Sequence, residues 1–262
     1  MLSSLLKNLF ISHAWAYRAA RITALVLLAW WLMGAPNLLA QYGLIPEWPR
    51  TDFSRHSVPM REIVSGGPGK DGIPAIDKPD FLKVSESPRW LDDSEPVIAL
   101  IIGNQAKAYP LQILIWHEIV NDSLAGVPVA VTFCPLCNAS VVYDRRLKGR
   151  VLDFGTTGRL RHSDLVMYDR QTESWWQQFI GEGIVGAYTG EKLTMLPSRI
   201  MSWADFRVGW PEGRVLSKDT GFYRQYGSNP YQGYDDVRQT PFMLGKKADT
   251  RLPPMERVAV VK

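Results

Sequence analysis

The chain has 262 residues, of which 46% are hydrophobic and 21% are charged, enough for one sizeable core or two small ones. Its formal net charge of +4 comes mostly from residues 1–46, which contain Lys7, Arg18 and Arg21 and no acid. The rest of the chain is therefore almost neutral, and it holds no run of Lys or Arg. This distribution excludes the basic footprint that a nucleic-acid-binding protein needs, so we expect no nucleic acid as a partner.

The N-terminal segment predicts export. Residues 22–40 carry no charge over a length that can span a bilayer, and the basic residues before them favour a cytoplasmic segment at 1–21. We therefore expect a single transmembrane signal anchor in the inner membrane, with the main domain in the periplasm or another extracytoplasmic space. A cleaved signal peptide is the alternative. In both cases the cysteines lie where disulfides persist.

The remaining chain predicts an irregular arm followed by a β-rich domain. Residues 41–82 are rich in Pro and Gly, which predicts an extended arm without regular structure. Residues 83–262 alternate short apolar runs with turn residues, at intervals typical of sandwiches and barrels. We predict a mainly β fold, a barrel or sandwich of short strands with a few short helices.

Three local patterns within this domain predict particular elements. The dipeptide Gly103-Asn104 between two apolar runs predicts a hairpin. The segment "LQILIWHEIVNDSLAG" (residues 111–126) has apolar residues at helical spacing and predicts a helix. A second helix is predicted at "SWADFR", where Ser202 precedes Asp205 by three residues, as in a helix N-cap pair.

The only two cysteines of the chain lie in "VTFCPLCNASVVY" (Val131–Tyr143), between segments that predict β-strands. A thioredoxin-type motif opens a helix whose dipole lowers the pKa of the first thiol. The β-branched residues after Cys137 predict a strand instead, which disfavours that chemistry. A Cys-x-x-Cys turn between strands is typical of a metal-binding knuckle. Asn138 fits this interpretation because Asn tolerates the left-handed conformation that such a turn needs.

A metal site at this turn needs ligands beyond the thiolates of Cys134 and Cys137. The best candidate is His117 in "WHEIVND", and His162 in "RLRHSDLVMYD" is a weaker one. Two cysteines and a histidine leave an open position that suits Zn or Cu. Glu118 is expected to orient His117 without binding the metal itself. A disulfide between the cysteines is an equal alternative, and such a short loop would be strained and easily reduced.

Other motifs are less specific. "FGTTGRLRHSD" (Phe154–Asp164) predicts a glycine-pinned hairpin loop, with an anion-binding turn as the alternative. "TESWWQQ" (Thr172–Gln178) and the aromatic-rich segment Tyr223–Asp236 suit a surface for a sugar or a protein partner, although most of the tryptophans are expected in the core. No Ser-His-Asp or HExxH pattern and no pair of carboxylates stands out. The sequence therefore does not decide whether the protein is an enzyme.

The motifs "AKAYPLQIL", "HEIVND", "VTFCPLCNASVVYDR", "FGTTG", "DLVMYDRQTESWWQQ" and "NPYQGYD" together resemble the prokaryotic family called domain of unknown function 3179. The resemblance covers roughly residues 80–261. It implies an exported or membrane-anchored protein centred on the CPLC segment, and it implies no particular activity. By this resemblance both cysteines, Asn138 and His117 lie in family motifs, whereas His162 stands where the family more often has Asn or another polar residue.

The function has three candidate hypotheses. The leading one is a membrane-anchored extracytoplasmic protein that binds Zn or Cu through the Cys-x-x-Cys turn plus a histidine. The first alternative is a non-catalytic module that binds a small molecule or a protein partner and uses the cysteines structurally. The second is a periplasmic thiol/disulfide oxidoreductase, which would need Cys134 to be partly exposed and to have a lowered pKa.

Overall fold

A computed structural model describes three stretches of the chain, residues 47–86, 88–234 and 236–256. The predicted anchor at residues 22–40 lies outside them. The chain divides into the units Met1–Pro49 and Arg50–Lys262, and the second unit contains the sheets and the cysteine turn. Within the described residues, no helix has both the length and the apolar character needed to cross a membrane.

Short β-strands dominate the described residues. In chain order they are β1 (Ile63–Ser65), β2 (Phe81–Lys83), β3 (Pro96–Ile102), β4 (Gln105–Pro110), β5 (Ile119–Leu124), β6 (Val127–Cys134), β7 (Ala139–Asp144), β8 (Arg146–Leu147), β9 (Arg150–Val151), β10 (Phe154–Arg161), β11 (Asp164–Asp169), β12 (Trp175–Gln177), β13 (Glu182–Val185), β14 (Thr194–Leu196), β15 (Ser198–Ser202) and β16 (Arg214–Leu216). The α-helices are α1 (Leu111–Leu114) and α2 (Trp203–Gly209), and single 3-10 turns span Met60–Glu62 and Val84–Glu86.

The strands form three main sheets and a small ribbon. Sheet A has the order β1-β10-β11-β12-β13, sheet B has β14-β7-β6-β5, sheet C has β15-β3-β4-β16-β2, and β8 pairs with β9. The pairings are antiparallel apart from the parallel pair β4 and β16. In the part of the chain that the structure describes, no sheet closes into a barrel. The prediction of a mainly β fold with short helices is confirmed, and the barrel alternative is not found.

Sheet B is the middle layer between sheets A and C. Its strand β6 shows how this works: Val131 and Phe133 belong to the core shared with sheet C, whereas Ala130 and Cys134 belong to the core shared with sheet A. This alternation follows from the two-residue period of a strand. A strand buried on both faces reads as a continuous apolar run, as β6 does. Helix α2 covers the outer face of sheet C.

Two of the three local predictions are confirmed. Strands β3 and β4 form the expected hairpin around Gly103-Asn104. Helix α2 begins after Ser202, whose hydroxyl accepts a hydrogen bond from the Asp205 N–H at 3.1 Å. The prediction of the longer helix was wrong beyond its first turn, because α1 ends at Leu114 and strand β5 begins at Ile119. Pairing of β5 with β6 along its whole length outweighs the helical spacing of the apolar residues.

The segment "FGTTG" is part of strand β10 and not a loop, so that prediction was wrong. A β-bulge interrupts the pairing of β10 with β11 between Thr156 and Arg159. The arm lies directly on this bulge, where the Gly66 N–H donates a hydrogen bond to the Gly158 carbonyl at 2.8 Å. Gly158 has a φ of +69°, and a Cβ atom there would stand 1.9 Å from the Pro68 carbonyl oxygen. The absence of a side chain at Gly158 therefore lets the backbone of the arm approach β10 closely.

We expect Gly158→Ala to lower the free energy of unfolding by about 2–4 kcal/mol, because it adds both a backbone clash and a left-handed alanine. Gly149→Ala is the matched control, since Gly149 has a φ of +76° but no atom within 4 Å of the added Cβ. The control should lose only about 1 kcal/mol. Equilibrium urea unfolding followed by tryptophan fluorescence measures both, and equal losses would contradict the contact between the arm and β10.

Candidate metal centre

The cysteines lie on the hairpin formed by β6 and β7, as the sequence predicts. Cys134 is the last residue of β6 and pairs with Ala139, the first residue of β7. Asn138 has the expected left-handed conformation, with a φ of +47°, and its N–H donates a hydrogen bond to the Pro135 carbonyl at 3.3 Å. Because a strand follows Cys137, no helix dipole acts on this thiol.

A second hairpin brings a carboxylate to the two thiols. Strands β10 and β11 meet at His162-Ser163, whose φ angles are +54° and +68°, and β11 opens with Asp164. The Cys134 thiol donates a hydrogen bond to the Ser163 carbonyl at 3.6 Å, and the Cys137 thiol lies 3.4 Å from Asp164 Oδ1. Both thiols are free. One ligand atom from each of Cys134, Cys137 and Asp164 lies within 4.8 Å of the others, so this cluster could hold a metal ion.

The carboxylate of Asp164 is buried and held in a fixed orientation. Its side chain is 6% exposed. Oδ2 accepts a short hydrogen bond from Gln177 Nε2 and another from the Phe179 N–H at 3.0 Å. These bonds leave Oδ1 facing the thiol of Cys137, as supporting hydrogen bonds do around metal ligands. Burial raises the pKa of Asp164, although the hydrogen bonds to Gln177 and Phe179 oppose this shift.

A second buried carboxyl group lies near the first. Glu118 is 7% exposed, and burial together with the charge of Asp164 raises its pKa to about 8. Hydrogen bonding to Cys134 and burial likewise raise the pKa of Cys137. Within the described residues, no basic side chain forms an ion pair with Glu118 or Asp164. The cluster therefore combines several acidic groups without a balancing positive charge.

The structure does not bring His117 to the cysteines. Its Nδ1 lies 2.7 Å from the Pro74 carbonyl, and its Nε2 lies 2.6 Å from the hydroxyl of Tyr226. Because a carbonyl only accepts, Nδ1 carries the proton and Nε2 accepts from Tyr226. Burial lowers the pKa of His117, which favours this neutral form. Glu118 forms no hydrogen bond with this ring in the described part of the chain, and the charge that raises its pKa is that of Asp164.

His162 also lies outside the cluster, although it directly precedes Ser163. Its Nδ1 lies 3.2 Å from the Leu244 carbonyl, and its Nε2 lies 3.3 Å from a carboxylate oxygen of Glu62. The ring therefore fixes the hairpin to neighbouring segments. Asp164, two residues further on, is the group that reaches the thiols.

Sequence reasoning missed Asp164 and also the proximity of Glu118 to it, having found no pair of carboxylates. The motif "RLRHSDLVMYD" contains one signal for Asp164, because this acid stands directly before an apolar run. Every residue of β11 is buried, so an acid at its first position must either be paired or face a site. The sequence does not reveal that the turn of the β10–β11 hairpin lies beside the turn of the β6–β7 hairpin.

The C-terminal segment, described at residues 217–234 and 236–256, covers this side of the molecule. The hydroxyl of Ser163 donates a short hydrogen bond to the Phe242 carbonyl, and the Phe242 N–H donates to the Tyr234 hydroxyl at 2.9 Å. Tyr231 lies close enough to Glu118 and Cys134 for their charges, in addition to burial, to raise its pKa. Tyr231, Tyr234 and Phe242 of this segment therefore lie around the cysteine site.

The other aromatic segment has a different place. Trp175 and Trp176, in "TESWWQQ", are fully buried, so the proposed surface was wrong there and the general expectation of core tryptophans holds. Glu173 of the same motif forms an ion pair with Lys70 at 2.8 Å and accepts a hydrogen bond from the Arg50 N–H at 2.9 Å. This motif therefore connects sheet A to the arm.

Comparison with known families agrees with the resemblance seen in the sequence. The family described as "Protein of unknown function (DUF3179)" matches residues 70–262. The chain belongs to the DUF3179 family. No curated protein and no solved structure matches it significantly. The match includes both hairpins and the C-terminal segment, so the whole candidate site lies within the family region.

Glu118 predicts a particular dependence of stability on pH in metal-free protein. Its folded pKa of about 8 lies above the usual value of 4.5, so the folded state retains this proton longer than the unfolded state does. The resulting stabilisation is complete below the unfolded pKa and is lost as pH rises towards the folded pKa. We expect Glu118→Gln to be about 1–3 kcal/mol more stable than the wild type near pH 9, and to differ less near pH 5.

Urea unfolding in the presence of a chelator measures this difference at both pH values. Glu212→Gln is the control, because Glu212 is exposed, lies between α2 and β16 and is not part of the cluster. A difference between Glu118→Gln and the wild type that stays constant with pH would contradict the assignment.

Proposed function

We propose that the protein is an extracytoplasmic domain, anchored in the inner membrane by residues 22–40, that binds a transition metal at the cysteine turn. The ligands are Cys134, Cys137 and Asp164, so that Asp164 takes the place first considered for a histidine. The convergence of these three donors within 4.8 Å carries the proposal. Two thiolates and a carboxylate suit Zn²⁺, and copper is the alternative ion.

The charges of the cluster also support a cation. Carboxylates and thiolates withdrawn from water are unfavourable unless a positive charge or hydrogen bonds compensate them. In the described residues, protonation compensates Glu118, whose pKa is raised to about 8, and hydrogen bonds from Gln177 and Phe179 compensate Asp164. A divalent ion would replace the protons of the thiols. Metal binding should therefore release protons and strengthen as pH rises.

The oxidoreductase alternative has weaker support. An attacking cysteine needs an accessible thiolate with a lowered pKa. Cys134 is 1% exposed, and the pKa of Cys137 is raised. A module with purely structural cysteines explains their burial, but it gives no reason for two buried carboxyl groups beside them.

Metal analysis of the purified protein tests the proposal. We expect about one zinc ion per chain in the wild type, and Cys134→Ser, Cys137→Ser and Asp164→Asn should each weaken zinc binding by about tenfold or more, because each removes a ligand. His162→Asn is the matched control, since it changes the same hairpin without removing a ligand. Equal loss of zinc in the control and in Asp164→Asn would contradict the assignment of Asp164.

Intact mass with and without reductant separates the metal site from a disulfide. We expect the native wild type to keep both thiol hydrogens or to carry the metal in their place. A wild type that binds no metal and that gains two hydrogens on reduction would contradict the proposal and favour the disulfide.

A further inference from the structure

A cavity of about 330 Å³ lies beside the cysteine turn, and the metal proposal does not use it. Leu111 of helix α1 and Ile115, the residue that follows the helix, form one wall. The β6–β7 hairpin forms the second wall, with Phe133, and the C-terminal segment closes the third. The volume is at the small end of the range for ligand sites, and the mixture of apolar walls with few polar groups is typical of them.

One polar atom in this cavity lacks a partner. The side-chain oxygen of Gln112 is buried and accepts no hydrogen bond in the part of the chain that the structure describes. A Cβ atom on Gly227 would lie 3.6 Å from this oxygen, so the C-terminal segment covers it. A buried acceptor without a donor is unfavourable and uncommon. A ligand in the cavity cannot reach this covered oxygen, so the ligands to consider are those that fit the other lining groups.

The charge of the cavity selects among such ligands. Glu95 is the one ionisable carboxylate among the lining residues, and no Lys, Arg or His lines the cavity within the described residues. Lys218 is near enough to feel the charge of Glu95, but its Nζ lies over the Trp90 ring, 4.5 Å from the centroid, and it does not line the cavity. An anion would therefore find no positively charged group here and would be repelled by the carboxylate of Glu95.

Aromatic rings supply the remaining surface. Tyr231 and Tyr234 both line the cavity, with ring centroids 6.4 Å apart and planes inclined by 54°. The faces of such rings attract an ammonium group, and the attraction increases when the group is withdrawn from water. A cation placed on the cavity side of these rings would also be attracted by the carboxylate of Glu95.

We propose that this cavity binds a small organic ammonium ion, with its apolar part against Leu111, Ile115 and Phe133. The charged nitrogen is bound by the tyrosine rings and the carboxylate of Glu95. This site is separate from the metal centre, and it is present whether or not the cysteines bind metal. Sugars, neutral alcohols and carboxylates are the competing ligand classes.

Isothermal titration of the full-length protein in detergent tests the class of ligand. The probes are n-butylammonium and choline, with 1-butanol, butyrate and glucose as comparisons of similar size. We expect saturable binding of the two ammonium ions with dissociation constants in roughly the millimolar range, and binding of 1-butanol weaker by about tenfold. Binding of 1-butanol or butyrate as tight as that of n-butylammonium, or no saturable binding of either ammonium ion, would overturn the proposal.

Variants test the location. Glu95→Gln and Tyr231→Leu should each weaken ammonium binding by about threefold to thirtyfold, since each removes one attraction on the cation. Glu212→Gln is the matched control, because Glu212 lines a different cavity. Circular dichroism and urea unfolding check that each variant is folded, and the zinc content should stay unchanged. Ammonium binding that Glu95→Gln does not weaken, or glucose binding that Tyr231→Leu abolishes, would overturn the assignment.

Discussion

The site depends on the burial of the Asp164 carboxylate beneath the cysteine turn. A carboxylate leaves water only when hydrogen bonds or a positive charge replace the lost hydration. Gln177 and Phe179 satisfy one oxygen, and the other oxygen faces the thiol of Cys137. Glu118 lies near enough that charges on both carboxyl groups at once would be still less favourable. Among the described residues, this negative charge can be balanced in two ways, by protons on the acids or by a metal cation between them.

The backbone around the site is strained at residues that are not glycine. Glu118, Asn138, His162 and Ser163 all have φ between +47° and +68°. A left-handed residue with a side chain costs about 1 kcal/mol or more relative to its usual conformation, and Asn is the best tolerated of these four. Elsewhere in the described chain, five further residues other than glycine have positive φ, namely Asp71, Ala125, Lys148, Glu173 and Met243. Ala125 and Lys148 each share a hairpin turn with a glycine. Strain of this kind clusters at functional sites, where the position of a side chain matters more than local stability.

His162 and Ser163 show why a tight turn would use such residues. A two-residue hairpin turn favours Asn-Gly, because both positions have positive φ. Here the ring of His162 lies 3.2 Å from the Leu244 carbonyl, and the hydroxyl of Ser163 donates to the Phe242 carbonyl. The Ser163 carbonyl also accepts from Cys134. The side chains thus connect the turn to the C-terminal segment, while its backbone positions the thiol.

Local chemistry predicts the cysteine hairpin, the left-handed Asn138 and the helix cap at Ser202, since each depends on residues close in sequence. The helix predicted at residues 111–126 ends after its first turn, because long-range pairing of β5 with β6 holds Ile119 and its neighbours in a strand. Asp164 could not be placed for a similar reason. It meets Cys137 only because sheets A and B stack so that two hairpin ends coincide, and a single sequence does not encode that registration in any short pattern.

The C-terminal segment joins the two proposed sites, although it contains no strand or helix after β16 among its described residues. It is attached at separate points, by Tyr226 to His117 and by Phe242 to Ser163. Between these attachments, Tyr231 lies at the cavity and is also electrostatically coupled to Glu118 and Cys134. A segment fixed at both ends holds its middle over the cysteine turn without regular structure of its own. Tyr231 therefore lies beside both proposed sites, and one short segment forms a wall of the cavity and a cover for the cysteine turn.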